Sequence, residues 1–197
     1  MGTNLTVQDE KMTGKLPPQS IEAEEAILGA VLTKPGCLNR IMDMITPNSF
    51  YKPANKTVYQ TILDLVREGG AIDIVTVSEK LRGEGKLEQV GGRTYINELA
   101  MNVVTTANIE YYAKIIQENA IKRTLINAGA EIVTMSYENH SVEQTLDAAQ
   151  KLIFDVAQQK VSSDLVHVKD IVKDVYKQIE ERYNNRGELI GSQFLIG

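Results

Sequence analysis

The distribution of proline constrains this chain most. All five prolines, Pro17, Pro18, Pro35, Pro47 and Pro53, fall within the first 53 of 197 residues. Proline lacks a backbone N–H and its ring clashes with the preceding helical turn, so a long proline-free stretch of helical periodicity favours long helices. The reading is an all-α fold: a small helical head domain, then an antiparallel helical hairpin, then a separate linker helix.

Punctuation divides the first half into short elements. Pro17-Pro18-Gln19-Ser20 opens the first helix, with Ser20 as its expected N-cap. Glu22, Glu24 and Glu25 follow in the first turn, where acids complement the helix dipole. That reading outweighs one of paired catalytic carboxylates. Ile21, Ala23 or Glu24, Ile27, Leu28 and Val31 share one face, and Lys34-Pro35-Gly36 ends the helix. A second helix is predicted from Cys37 to Ile45, stopped at Thr46-Pro47, with a turn at Asn48-Ser49-Phe50-Tyr51. A third runs from Ala54 to Glu68, with Val58, Ile62, Leu65 and Val66 inward, and ends at Gly69-Gly70. Asp73 or Thr76 caps a fourth, through Val77 and Leu81 to Gly83. Gly91-Gly92 opens a fifth, carrying Tyr95, Ile96 and Leu99.

From Thr106 to Tyr137 the pattern is helical with few breaks. Ile109, Tyr112, Ile116, Leu125 and Ile132 occupy more than one face, and a helix apolar over a wide arc is buried on several sides or packs on another subunit. Glu138-Asn139-His140-Ser141 reads as a turn, with Ser141 a cap and Gln144 three residues on. Val142, Leu146, Ala149, Ile153 and Val156 then form a narrow seam of the coiled-coil kind. Two such helices joined by a short turn make an antiparallel hairpin. Gln158 to Asp164 is polar, after which Val168, Ile171, Val172, Val175, Ile179 and Tyr183 outline an amphipathic helix ending at Asn184-Asn185-Arg186-Gly187.

Composition narrows the function. A net charge of -5 argues against a generally basic nucleic-acid clamp. The one cysteine, Cys37, forbids an intramolecular disulfide, favours a cytoplasmic location and reads as a small buried residue. No apolar run reaches the roughly 18 residues of a membrane span, and the polar N-terminus lacks a signal core. Three Asn-x-Ser/Thr triplets are read as chance. Gly14-Lys15-Leu16 and Gly85-Lys86-Leu87 lack the hydroxyl of a phosphate-binding P-loop. Gly83-Glu84-Gly85 has no third glycine at the dinucleotide spacing. His140 and His167 lack metal-ligand spacing. No catalytic residue, cofactor site or metal site is expected in this chain.

Several segments, in order, carry a family resemblance. They are Pro17 to Gly29, then Phe50-Tyr51 with Asn55-Lys56 and Val58-Tyr59, and Ile72-Asp73-Ile74-Val75-Thr76-Val77. Gly91-Gly92-x-x-Tyr95-x-x-x-Leu99 and Thr105-Thr106-Ala107-Asn108-Ile109-x-Tyr111-Tyr112-Ala113-x-Ile115-Ile116 complete the set. Together, over about Leu16 to Gly187, the chain resembles the N-terminal domain and linker helix of bacterial DnaB-type replicative helicases. After Gly187-Glu188-Leu189-Ile190-Gly191 the family pattern, which leads into a RecA-like ATPase domain, is not continued by Ser192 to Gly197.

Residues 1–15 are polar and read as a disordered tail. The resemblance implies the further boundaries: 16–104 the head, 105–160 the hairpin, 161–187 the linker helix and 188–197 the start of the connection to the ATPase domain. It implies a collar that assembles with itself, from dimers to a hexamer, and binds the primase C-terminal domain and the helicase loader. Ile116, Leu125, Ile132, Leu146, Ala149 and Ile153 are the expected hairpin interface. Ile171, Val175, Tyr176 and Ile179 are expected to dock on a neighbouring ATPase domain. ATP and Mg, the main DNA contacts and strand separation belong to the motor domain, outside this chain. The location implied is the cytoplasm, at the replication fork. The alternative is a free-standing helical DNA-binding regulator, since short helices with glycine turns can mimic a helix-turn-helix. A lack of a basic recognition helix counts against it, and a helical enzyme has no candidate site.

Overall fold

The computed structural model describes residues 15–101, 106–139 and 141–158. The first of the chain's two compact units runs from Met1 to Val156 and holds nearly all of them. Its helices are α1 (Ile21–Thr33), α2 (Pro53–Arg67), α3 (Ile74–Gly83), α4 (Gly92–Met101) and α5 (Ile109–Tyr137). Residues 142–158 are helical and are named α6. Short 3₁₀ segments occupy Pro35–Arg40, Pro47–Ser49 and Glu88–Val90, and no strand occurs among the described residues. The all-α expectation holds.

The head is built around α1, which packs on α2, α4 and α5. Ala23, Ile27, Leu28, Ala30, Val31 and Leu32 are all buried. They join Leu38, Ile41, Val58, Tyr59, Ile62, Leu81, Ile96, Ile109, Ala113 and Ile116 in one core. Burying each large aliphatic side chain stabilises the head by roughly 1.5–3 kcal/mol.

Two features of α1 depart from the sequence reading. Ser20 stands at the N-cap with extended backbone, but its hydroxyl makes no capping bond. Glu24 is buried among α1 and α2 side chains and is no dipole-side surface acid. The segment after α1 also differs. Instead of a helix from Cys37 to Ile45, a 3₁₀ turn spans Pro35–Arg40 and irregular turns follow. Pro35 opens that turn and Pro47 holds Thr46 extended at ψ 167, so proline bounds the segment at both ends. Cys37 is buried as expected, and burial raises its thiol pKa.

The other turns follow their local chemistry. Pro53 occupies the first turn of α2, where its missing N–H costs nothing. Gly69 ends the helix at φ +71, and the Gly70 N–H donates to the Leu65 carbonyl at 2.8 Å. Val66, one residue from the C-terminal end of α2, is exposed rather than inward, although it stands only about 40° round the helix from the buried Ile62. Asp73, not Thr76, caps α3. Its carboxylate accepts from the N–H groups of Val75 and Thr76, both at 2.8 Å, while Thr76 Oγ1 accepts from the Asp73 N–H at 3.0 Å. The Thr76 N–H is the main cause that holds the Asp73 carboxyl below its ordinary pKa. Gly91, at φ +102, opens the way into α4, where a Cβ would stand 3.0 Å from that of Tyr95.

Tyr59 is fully buried beside Phe50, with ring centroids 4.8 Å apart, and its hydroxyl has no hydrogen-bond partner. Among the described residues no helix is long and apolar enough to cross a membrane.

Candidate interaction surface

The 29 residues of α5 make a rod about 44 Å long. Ile109, Ala113 and Ile116, spaced i, i+4 and i+7, point one face of its first turns into the head core. Ile116, expected at a subunit interface, is instead a core residue of the single chain, because it shares that face.

Farther along α5, polar groups meet the head. Gln117 Nε2 donates to the Met44 carbonyl at 3.0 Å. Arg123 Nη1 donates to the Pro18 carbonyl at 2.7 Å, and Nη2 to the Ser49 carbonyl at 2.6 Å. Its guanidinium lies 5.7 Å from the Tyr51 ring centroid. Burial lowers the Arg123 pKa, opposed by the Glu24 carboxylate and Tyr51.

Glu24 grips the same loop from the other side. Its carboxylate accepts from the Tyr51 N–H at 2.6 Å, the Lys52 N–H at 3.3 Å and Asn55 Nδ2 at 2.9 Å. Tyr95 donates its hydroxyl to Asn55 Oδ1 at 2.5 Å and accepts from Lys52 Nζ at 2.9 Å. Lys52 also bridges to Glu25 at 3.0 Å. Burial pushes the Tyr95 hydroxyl up to about 12. Burial lowers Lys52, but Tyr95 and Glu25 outweigh it and the net shift is upward. An anion thus holds the N–H groups of loop 51–52, and a cation holds the carbonyl just before it. These partners lie far apart in sequence, so no local pattern announces them.

The outer half of α5 and all of α6 present apolar surface. Ile126, Val133 and Tyr137 are exposed and stand within about 40° of one another round α5. They lie about 140–180° from the buried Ala128, so the helix is apolar on opposite sides. The spacing of seven and four residues is the sequence signal for this stripe. At Gly129 an added Cβ would meet open space.

The turn into α6 is a reciprocal capping box: Gln144 N–H donates to Ser141 Oγ, and Ser141 N–H to Gln144 Oε1, both at 3.2 Å. Along the α6 seam exposure falls from 75% at Val142 to 60% at Leu146, 48% at Ile153 and 6% at Val156. The seam is covered at its inner end and open near the hairpin turn. Of the other expected interface residues, Leu125 is exposed, and Ile132 and Ala149 are half-buried. Phe154, outside the seam, is also exposed. Ile171, Val175, Tyr176 and Ile179 lie outside the described residues. No cluster of three or more metal-ligating side chains occurs among the described residues.

A helical head followed by two helices with uncovered apolar stripes has the anatomy of a binding module. Residues 16–118 match the family described as the DnaB-like helicase N terminal domain. The chain is 39% identical over 181 residues to the replicative DNA helicase DnaC of Bacillus subtilis, covering 91% of this chain and 40% of that protein. It is 37% identical over 183 residues to the replicative DNA helicase DnaB of Geobacillus stearothermophilus, covering 92% and 40%. The crystal structure of the N-terminal domain of DnaB helicase from Mycobacterium tuberculosis superposes with a TM-score of 0.68 at 38% identity, covering 71% of this chain and 99% of that one. A DnaB-like replicative helicase, described with its interactions with primase, superposes at 0.61 with 26% identity, covering 71% and 31%. The chain belongs to the DnaB-like helicase N-terminal domain family. It spans about two-fifths of the length of those two helicases.

Proposed function

We propose that this chain is a collar module that assembles with itself through its hairpin and recruits primase and the helicase loader to a replicative helicase. The observation that carries this reading is the pair of uncovered apolar stripes, Ile126, Val133 and Tyr137 on α5 and Val142, Leu146 and Ile153 on α6. Covering a few such side chains per subunit, at roughly 1.5–3 kcal/mol each, offsets the entropy of association. Pairing of hairpins gives dimers, and closure of dimers gives a hexameric ring. Leu125, Ile132 and Ala149 flank these contacts. One structural relative was described with its interactions with primase, which supports primase as the partner.

ATP-dependent unwinding, with its ATP and Mg, and the main DNA contacts belong to a motor domain beyond this module. The stripe of Ile171, Val175, Tyr176 and Ile179 docks on the neighbouring motor domain.

The test is light-scattering mass, with and without a primase C-terminal domain. A mass above the monomer, increased further by primase, is expected. Ile153→Asp, which places a charge in a seam that folding of the single chain leaves half-open, is expected to give smaller species with the head still folded. A monomeric wild type that ignores primase, or an Ile153→Asp variant of unchanged mass, would refute the hairpin reading.

A further inference from the structure

We propose that Arg123 is a latch that sets the angle between the head and the hairpin, and that its release lets the hairpin tilt while the head stays folded. The proposal rests on how α5 is held. Its inner turns are fastened by apolar contact, through Ile109, Ala113 and Ile116, with Tyr112 and Ile115 packed against the same core. No apolar α5 residue beyond Ile116 belongs to that core or packs against it. Past this point, the hydrogen bonds from α5 side chains to the head come from Gln117 and, farthest out, Arg123.

The two attachments differ in kind. Apolar packing is non-directional and stays favourable over small rotations. A guanidinium fork on two carbonyls is directional, and is either engaged or not. The carbonyls come from two separate segments, Pro18 ahead of α1 and Ser49 ahead of α2, so one side chain ties three parts of the fold. Arg123 is only half-buried, so water can take its place on both oxygens when it leaves. The inner turns of α5 are thus a pivot and Arg123 a catch.

The lever is long. From Ile116 to Tyr137 α5 rises about 32 Å, so a tilt of about 10° moves its far end by about 5 Å. That displacement carries the exposed residues Ile126, Val133 and Tyr137 with it. Access to the catch runs through the loop at Ser49 to Lys52, because Glu24 holds the Tyr51 and Lys52 N–H groups next to the Ser49 carbonyl.

The experiment is a distance distribution by pulsed electron spin resonance on the 197-residue chain. Spin labels go on Arg93→Cys in the head and Glu131→Cys on α5, in a Cys37→Ser background, diluted with unlabelled chain to suppress distances between copies. One narrow distribution is expected with Arg123 in place. Arg123→Met keeps the apolar stem but loses both donors, and is expected to broaden the distribution at least twofold or add a second peak. Arg123→Lys, which keeps the charge but gathers its donors on one nitrogen in place of two, is expected to fall between. Gln117→Leu, which removes the tie nearest the pivot, is expected to leave the width unchanged. Hydrogen exchange of the α1 and α2 amides is read in parallel and is expected to stay protected in Arg123→Met. An unchanged distribution in Arg123→Met would overturn the latch. So would loss of head protection in both Arg123 variants, because Arg123 would then support the fold as a whole.

Discussion

Glu24→Ala tests whether the buried carboxylate of α1 organises the head. Glu24 is 1% exposed and accepts three hydrogen bonds, from the Tyr51 and Lys52 N–H groups and from Asn55 Nδ2. Asn55 is buried, whereas Tyr51 and Lys52 are half-buried. An orphaned buried donor costs about 1–3 kcal/mol. Taking about 2 kcal/mol for Asn55 and about 1 kcal/mol for each half-buried N–H gives about 4 kcal/mol. Relief from holding a desolvated carboxylate returns part of this, so about 3 kcal/mol is the expected loss. For a unit of this size that lowers Tm by about 6–12 °C. The assay is thermal unfolding by circular dichroism at one fixed protein concentration, since self-association would otherwise shift Tm. Glu24→Gln keeps one acceptor oxygen and is expected to lose about half as much. Glu22→Ala, at an exposed site in the same first turn, is expected to cost under about 1 kcal/mol. Equal effects at Glu22 and Glu24 would refute the reasoning and return Glu24 to a dipole role.

Other outcomes follow from single groups. Asp73→Ala removes the α3 cap and is expected to cost about 1 kcal/mol at neutral pH. The Asp73 carboxyl sits below its ordinary value of 3.8, so its contribution is fully present above that pH and fades as pH falls through the lowered value. The gap between wild type and Asp73→Ala in chemical denaturation should therefore close in acid; a gap that persists there would refute the assignment of the cap. Tyr59→Phe removes a buried hydroxyl with no partner and is expected to leave Tm unchanged or raise it, whereas a drop of several degrees would show that the hydroxyl is satisfied in solution.

Elements set by neighbouring residues are legible in the sequence. The Ser141 and Gln144 capping box, the glycine ending α2 and the glycines opening α4 all act within a few residues, and each stands where its spacing places it. The hairpin seam shows in its four- and three-residue steps. Which of its residues stay open does not, since Val142 and Val156 look alike in the pattern and differ from 75% to 6% in exposure. The helix expected from Cys37 to Ile45 does not form; between its two flanking prolines a 3₁₀ turn and irregular turns take its place, which its apolar spacing does not reveal.

Helical periodicity, proline placement and caps are properties of adjacent residues, and they determine the all-α fold class and most of the helix boundaries. The roles of Glu24 and Arg123 are decided by chain segments that only folding brings together. Arg123 meets carbonyls 105 and 74 residues away, and Glu24 meets donors 27 to 31 residues away. A charged side chain in a helix reads as a solvated surface group until the fold supplies its partners and excludes water. Burial, full at Glu24 and partial at Arg123, then turns each into a tie, Glu24 within the head and Arg123 between the head and α5.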